Sequence, residues 1–119
     1  MVLVDTSVWV SHLRSGNREM ERLLTRGEVL CHPFIIGELA LGNLKNRTEI
    51  LSLLQSLPMA IRATHTEVLK FVEKKKLMGK GVGYVDVHLA ASSLLTGAPL
   101  WTLDKRLRNL MKTLNFAYS

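Results

Sequence analysis

The sequence predicts an α/β fold in one compact domain, residues 1–119, with a central parallel sheet of about five strands and helices on both faces. Three observations predict it. Short apolar runs rich in β-formers alternate along the chain with segments of helical periodicity. The runs are apolar throughout instead of alternating with polar residues, as strands covered on both faces are. At 119 residues and 47% hydrophobic, the chain is long enough for one core and too short for two ordinary domains.

Taken in order, VLV at 2–4 reads as the first strand, and helical patterns follow over 6–13 and 18–25. A second strand is expected at VLC, 29–31, and a helix over 34–44 after Pro33. A helix over 49–56 leads to Pro58 and a third strand, MAI at 59–61. The segment HTEVLKFVEKKKL at 65–77 carries an apolar stripe of Val68, Leu69, Val72 and Leu77, with Lys70, Lys74, Lys75 and Lys76 facing out. GKGVGY, with Gly79, Gly81 and Gly83, is the one flexible stretch. A helix over 85–96, Pro99, a strand LWTL at 100–103, a helix over 105–113 and a closing strand FAY at 116–118 complete the chain.

Composition excludes several classes. The start, MVLVDTSVWV, has no basic segment and meets Asp5 after three apolar residues, so neither a secretory signal nor a membrane span is expected and a cytoplasmic location is. A single cysteine, Cys31, rules out an internal disulfide or a multi-cysteine zinc site and reads as core. The net charge of +6 is uneven, with six basic and six acidic residues in 1–60 against ten and four in 61–119. Such an asymmetry suits a polyanion such as nucleic acid, although a solvated basic surface has the same signature.

The chain has only three aspartates, and each stands at a junction. Asp5 ends the first strand, Asp104 ends the LWTL strand, and Asp86 opens a helix after the glycine-rich stretch. Parallel sheets bind ligands beyond the carboxyl ends of their strands, where strand order reverses. Neighbouring strands lie about 4.8 Å apart, so Asp5 and Asp104 would then reach one metal ion. Glu38 has Phe34, Ile35 and Leu41 at i−4, i−3 and i+3, which puts its carboxylate on or beside the apolar face. Each acid has a plain alternative: helix capping for the aspartates, and solvent or an arginine partner for Glu38. Four acids on one rim would repel each other unless a divalent cation or raised pKa values relieved them, and oxygen-only ligands favour Mg²⁺ or Mn²⁺ over zinc.

Together VDTSVWV, GEL around residue 38, YVDVHLAASSLLTGAPLWTLD and the closing aromatic strand resemble a PIN domain of the VapC toxin type over essentially the whole chain. The resemblance implies strand order 3-2-1-4-5, with Asp5, Glu38, Asp86 and Asp104 as metal-binding carboxylates. It also implies Thr6 and Thr102 as hydroxyls that orient water or carboxylates, with Ser7 an alternative to Thr6. Leu107 departs from the pattern, because many members carry an aromatic there. The activity implied is ribonuclease: hydrolysis of RNA phosphodiesters by a metal-activated water, in the toxin of a toxin–antitoxin pair with a protein antitoxin and a homodimer.

Lys74, Lys75, Lys76, Lys80, Lys105, Arg106 and Arg108 are the expected guides for the RNA backbone. His88, two positions from Asp86, is expected at the surface or behind the site, and Trp9 and Trp101 in the core or at a subunit contact. GKGVG lacks the phosphate-loop pattern. A non-catalytic RNA-binding or interaction module would be marked by a broken quartet, and a receiver-like or phosphatase domain by an acidic pair or D-x-D at the first strand; the sequence has neither mark.

Overall fold

A computed structural model describes residues 1–119 and contains three parallel strands and seven helices. Strands β1 (Val2–Val4), β2 (Val29–Leu30) and β3 (Leu100–Trp101) pair in the order β2-β1-β3. Val2 and Leu3 of β1 stand opposite Val29 and Leu30, while Leu3 and Val4 stand opposite Leu100 and Trp101. All three residues of β1 are buried, as its unbroken apolar run requires. Order therefore reverses at β1, and the carboxyl end of β1 opens into the crevice where such sheets bind ligands.

The expected outer strands are reduced to single parallel bridges, Cys31 with Met59 and Leu100 with Ala117. They lie on the expected sides, but 59–61 and 116–118 do not extend into strands. Beyond Cys31 the chain turns at Pro33 into a helix, and on the other edge Leu100 alone exchanges backbone bonds with the closing segment, through Phe116 O and Tyr118 N. LWTL is likewise shorter than expected, because Thr102 leaves the strand and its hydroxyl accepts the Asp104 N–H at 3.0 Å.

Helices α1 (Thr6–Ser15) and α2 (Arg18–Thr25) cross from β1 to β2, with the Asn17 side chain accepting from Met20 N to start α2. Helix α3 (Pro33–Ala40) begins at a His32 cap with proline at its first position. It ends four residues before the expected limit at 44. The Arg47 guanidinium bonds the carbonyls of Ala40 at 2.5 Å and Gly42 at 3.2 Å, closing the helix from outside it, and Leu41 is left 90% exposed.

Helix α4 (Arg47–Ser56) follows, then α5 (His65–Lys75), opened by a reciprocal capping box between Thr64 and Glu67. On α5, Val68 is buried as expected, but Leu69 is half exposed and off the stripe. Helix α6 (Tyr84–Thr96) is the centre of the molecule: Val87 through Ser93 are all buried. Its small residues Ala90, Ala91, Ser92 and Ser93 let neighbours approach closely, and the Ser93 hydroxyl is satisfied by the Ala98 carbonyl. Helix α7 (Lys105–Thr113) ends at Asn115, whose left-handed φ of 61° turns the chain toward the Leu100–Ala117 bridge. Trp9 and Cys31 lie in the core as expected, while Trp101 is half-buried against Tyr118.

Candidate metal centre

Asp5 sits at the N-terminus of α1 in extended conformation, yet its side chain caps nothing. The carboxylate is instead taken by two hydroxyls: Oδ2 accepts from Ser7 Oγ at 2.8 Å and from Thr102 Oγ1 at 2.7 Å. Each hydroxyl has one proton, so the 3.4 Å contact between Ser7 and Thr102 is a consequence of this convergence, not a third bond. Both hydroxyls also accept a backbone N–H, from Leu103 for Ser7 and from Asp104 for Thr102. The start of α1 is thereby locked to the end of β3. Asp5 is 6% exposed, and Oδ1 is left without a protein donor.

Asp104 plays two parts. Its Oδ1 caps α7 by accepting Leu107 N at 2.9 Å, so the capping alternative holds for this aspartate. Asp86 is the third residue of α6, after a Gly83 cap, and its carboxyl is pushed up from its ordinary value. Burial is the largest cause, followed by the charges of Asp5 and Asp104 and, more weakly, Glu38, while a bond from the Gly83 backbone pulls the other way. Asp86 therefore feels all three of the other acids.

Glu38 corrects the expectation that its carboxylate rides on or beside the apolar face. It is exposed at the margin of α3, because the buried stripe runs through Ile35 and Leu39 and Leu41 has already left it. Its Oε1 accepts from Thr6 Oγ1 at 2.7 Å. Thr6 and Ser7 thus divide the work, one holding Glu38 and the other Asp5. No arginine or lysine neutralises any of the four acids, since the one ion pair in the chain is Arg22 with Glu19. No three acidic, cysteine or histidine side chains are gathered closely enough to hold an ion as they stand.

His88 is not at the surface. It is 3% exposed on the inner side of α6, edge-on to Phe34, with Nε2 at 2.9 Å from the Tyr84 hydroxyl one turn earlier. Its spacing from Asp86 does turn it away from the acids, but toward the core and not toward solvent. His32 is buried as the α3 cap, and burial, assisted by His88 and Arg62, lowers it to about 4, so it is neutral near pH 7. Of the expected basic guides, Lys75, Lys80 and Arg106 line a cavity of about 480 Å³ between α5 and α7. Gly81, at φ +74°, leaves the room that Arg106 occupies when it bonds the Gly81 carbonyl. Lys112 and Tyr118, near the carboxyl end of β3, were not among the residues the sequence singled out; only their spacing from Arg108 and Trp101 could have suggested them.

Residues 2–112 match the model of the PIN domain. The chain is 49% identical over 109 residues to Ribonuclease VapC32 of Mycobacterium tuberculosis, in both strain CDC 1551 / Oshkosh and strain H37Rv, covering 91% of this chain and 88% of the relative. The crystal structure of PAE2754 from Pyrobaculum aerophilum aligns with a TM-score of 0.60 at 18% identity, covering 96% of this chain and 88% of that one, a likeness of fold.

Proposed function

The chain belongs to the PIN-domain family as a VapC-type ribonuclease toxin, and from that premise we propose that Asp5, Glu38, Asp86 and Asp104 hold a divalent cation for RNA hydrolysis. The observation that carries the reading is the unneutralised rim: four carboxylates, three of them bearing on Asp86, with no basic side chain paired to any. Charges so placed disfavour one another; the raised Asp86 carboxyl relieves part of the repulsion, and a bound cation would relieve the rest. The donor set is oxygen alone, which fits Mg²⁺ or Mn²⁺. When bound, such an ion supplies an activated water and neutralises charge on the phosphoryl oxygens.

The rest of the work belongs to the protein. Ser7 and Thr102 fix the Asp5 carboxylate through Oδ2 and leave Oδ1 without a protein donor. Thr6 restrains Glu38, whose exposed side chain would otherwise be free to rotate. Leu107 N occupies one oxygen of Asp104 and so sets the direction of the other. The whole of 1–119 acts as a single PIN domain, with RNA as substrate, a cognate protein antitoxin as inhibitor, a homodimer as the working form and the cytoplasm as its location. No helix is long and apolar enough to cross a membrane.

Titration with Mn²⁺, followed by calorimetry and by thermal melting, tests the metal assignment without reference to any substrate. The wild type binds and its melting temperature rises with Mn²⁺. Asp5→Asn and Glu38→Gln lose most of that rise. Equal rises in wild type and both variants would place the ion elsewhere.

A further inference from the structure

A cavity of about 640 Å³ lies between the carboxyl end of β3, the Arg108 and Lys112 face of α7 and the closing segment around Ala117. One wall is aromatic. Trp101 and Tyr118 stand 5.5 Å apart at 47°, and the Tyr118 ring is fixed because its hydroxyl bonds both Glu19 and Arg22. The other wall is cationic: Arg108 and Lys112, one turn apart on α7, both line the cavity. Neither has an ion-pair partner, and the Arg108 side chain is half-buried, so its guanidinium charge is held at the cavity without compensation. No aspartate or glutamate lines this space.

The floor connects the cavity to the chemistry. Thr102 lines it and is the residue whose hydroxyl holds Asp5. The cavity thus shares Thr102 with the Asp5 site. Two aromatic rings, tilted to each other, opposite two free cations are the chemistry of a nucleotide, with base on one ring and phosphate on guanidinium and ammonium. The volume suits a single unit of that size.

We propose that this cavity is a nucleotide subsite: it seats the nucleotide adjoining the scissile phosphate, with its base against Trp101 and Tyr118 and its phosphate on Arg108 and Lys112. The inference rests on the ribonuclease reading and adds to it the position of the substrate strand. It makes Arg108 and Lys112 substrate-binding residues and assigns Trp101 a stacking role that tolerates any base.

The test uses the full chain carrying Asp5→Asn, so that RNA stays intact, and a fluorescein-labelled single-stranded RNA 12-mer of randomised sequence. Anisotropy gives the affinity at several salt concentrations. Adding Arg108→Ala and Lys112→Ala weakens binding at least about tenfold and lowers the slope of log affinity against log salt by about 1.4, two single-strand phosphate contacts. Trp101→Leu weakens binding about tenfold, with no change in slope. Arg14→Ala with Lys45→Ala, exposed cations outside the expected RNA guides, has a smaller effect. If the Arg108/Lys112 variant keeps the parent's affinity and slope while the wild type cuts RNA, the subsite is wrong and the ribonuclease reading stands. An equal loss in the Arg14/Lys45 variant also overturns the subsite, by showing attraction to overall charge. If the parent fails to bind RNA and the wild type fails to cut it, both readings fall together.

Discussion

Thr102 is the residue on which two of the four acids depend, and replacing it with valine tests that dependence without changing its shape. Its hydroxyl donates to Asp5 Oδ2 at 2.7 Å and accepts Asp104 N at 3.0 Å, and the residue is 3% exposed. Valine removes both bonds and sets a methyl group against a carboxylate. A buried group deprived of its partner costs about 1–3 kcal/mol. Asp5 keeps Ser7 as a donor, and Asp104 N is only partly buried, so the two losses together come to about 2–3 kcal/mol. For a chain of this size each kcal/mol moves the melting temperature by about 4 °C, which predicts a fall of about 8–12 °C for Thr102→Val. Thr102→Ser keeps the hydroxyl and loses one methyl, about 0.8 kcal/mol. In a cleavage assay Thr102→Val lowers kcat at least about tenfold because the Asp5 carboxylate is no longer aimed, while Thr102→Ser stays near wild type. The reasoning fails if the valine variant melts and cleaves like wild type, or if serine is as damaging as valine, which would make the methyl the important group.

Asp86→Asn raises the melting temperature of the protein in EDTA at pH 7. The raised Asp86 carboxyl stabilises the fold only at low pH, and that contribution is lost as pH rises through the window above 3.8, so removing the charge removes the loss. The same variant gains nothing on addition of Mg²⁺; a lower melting temperature in EDTA would show that Asp86 is not under repulsion. His32, lowered to about 4 from 6.5, makes the fold lose stability as pH falls from 6.5 to 4, by about 3 kcal/mol across the window. His32→Asn replaces the capping Nδ1 with a capping oxygen and flattens denaturant-measured stability over that range, and an unchanged slope would assign it to other groups. Gly81→Ala meets both a φ of +74° and Arg106 Nη1 at 2.8 Å, so it costs about 1–2 kcal/mol in chemical denaturation, and a neutral result would show that the loop relaxes freely.

Much of this architecture was legible because it is written in local pattern. Helices over 18–25 and 105–113 have the bounds expected of them, since the Asn17 and Asp104 caps lie in the sequence immediately before them. What escaped depends on partners distant along the chain or on crowding at an edge. The end of α3 at Ala40 is set by Arg47, which no periodicity within 34–44 can reveal. The strand at 59–61 shrank because Pro33 turns its neighbour away just beyond Cys31.

At the site, the positions of the acids were readable from junctions, but their local roles were not. Asp5, at a position where a cap belongs, leaves that role unfilled because two hydroxyls claim its carboxylate, one of them 97 residues away. Asp104 does cap, through the Oδ1 that accepts Leu107 N. Glu38 was misread because Leu41, counted as an apolar neighbour, is itself in solvent. His88 was misread because turning away from Asp86 on an almost wholly buried helix means turning inward.

The central claim, that the acidic rim cuts RNA with the help of a bound cation, is tested most directly by incubating purified protein with a mixed RNA substrate in Mg²⁺ or Mn²⁺, beside EDTA and beside the Asp5→Asn and Asp86→Asn variants. The account predicts cleavage that requires the metal, stops in EDTA and is lost in both folded variants. Cleavage that survives in EDTA, or that both variants retain at the wild-type rate, would contradict it.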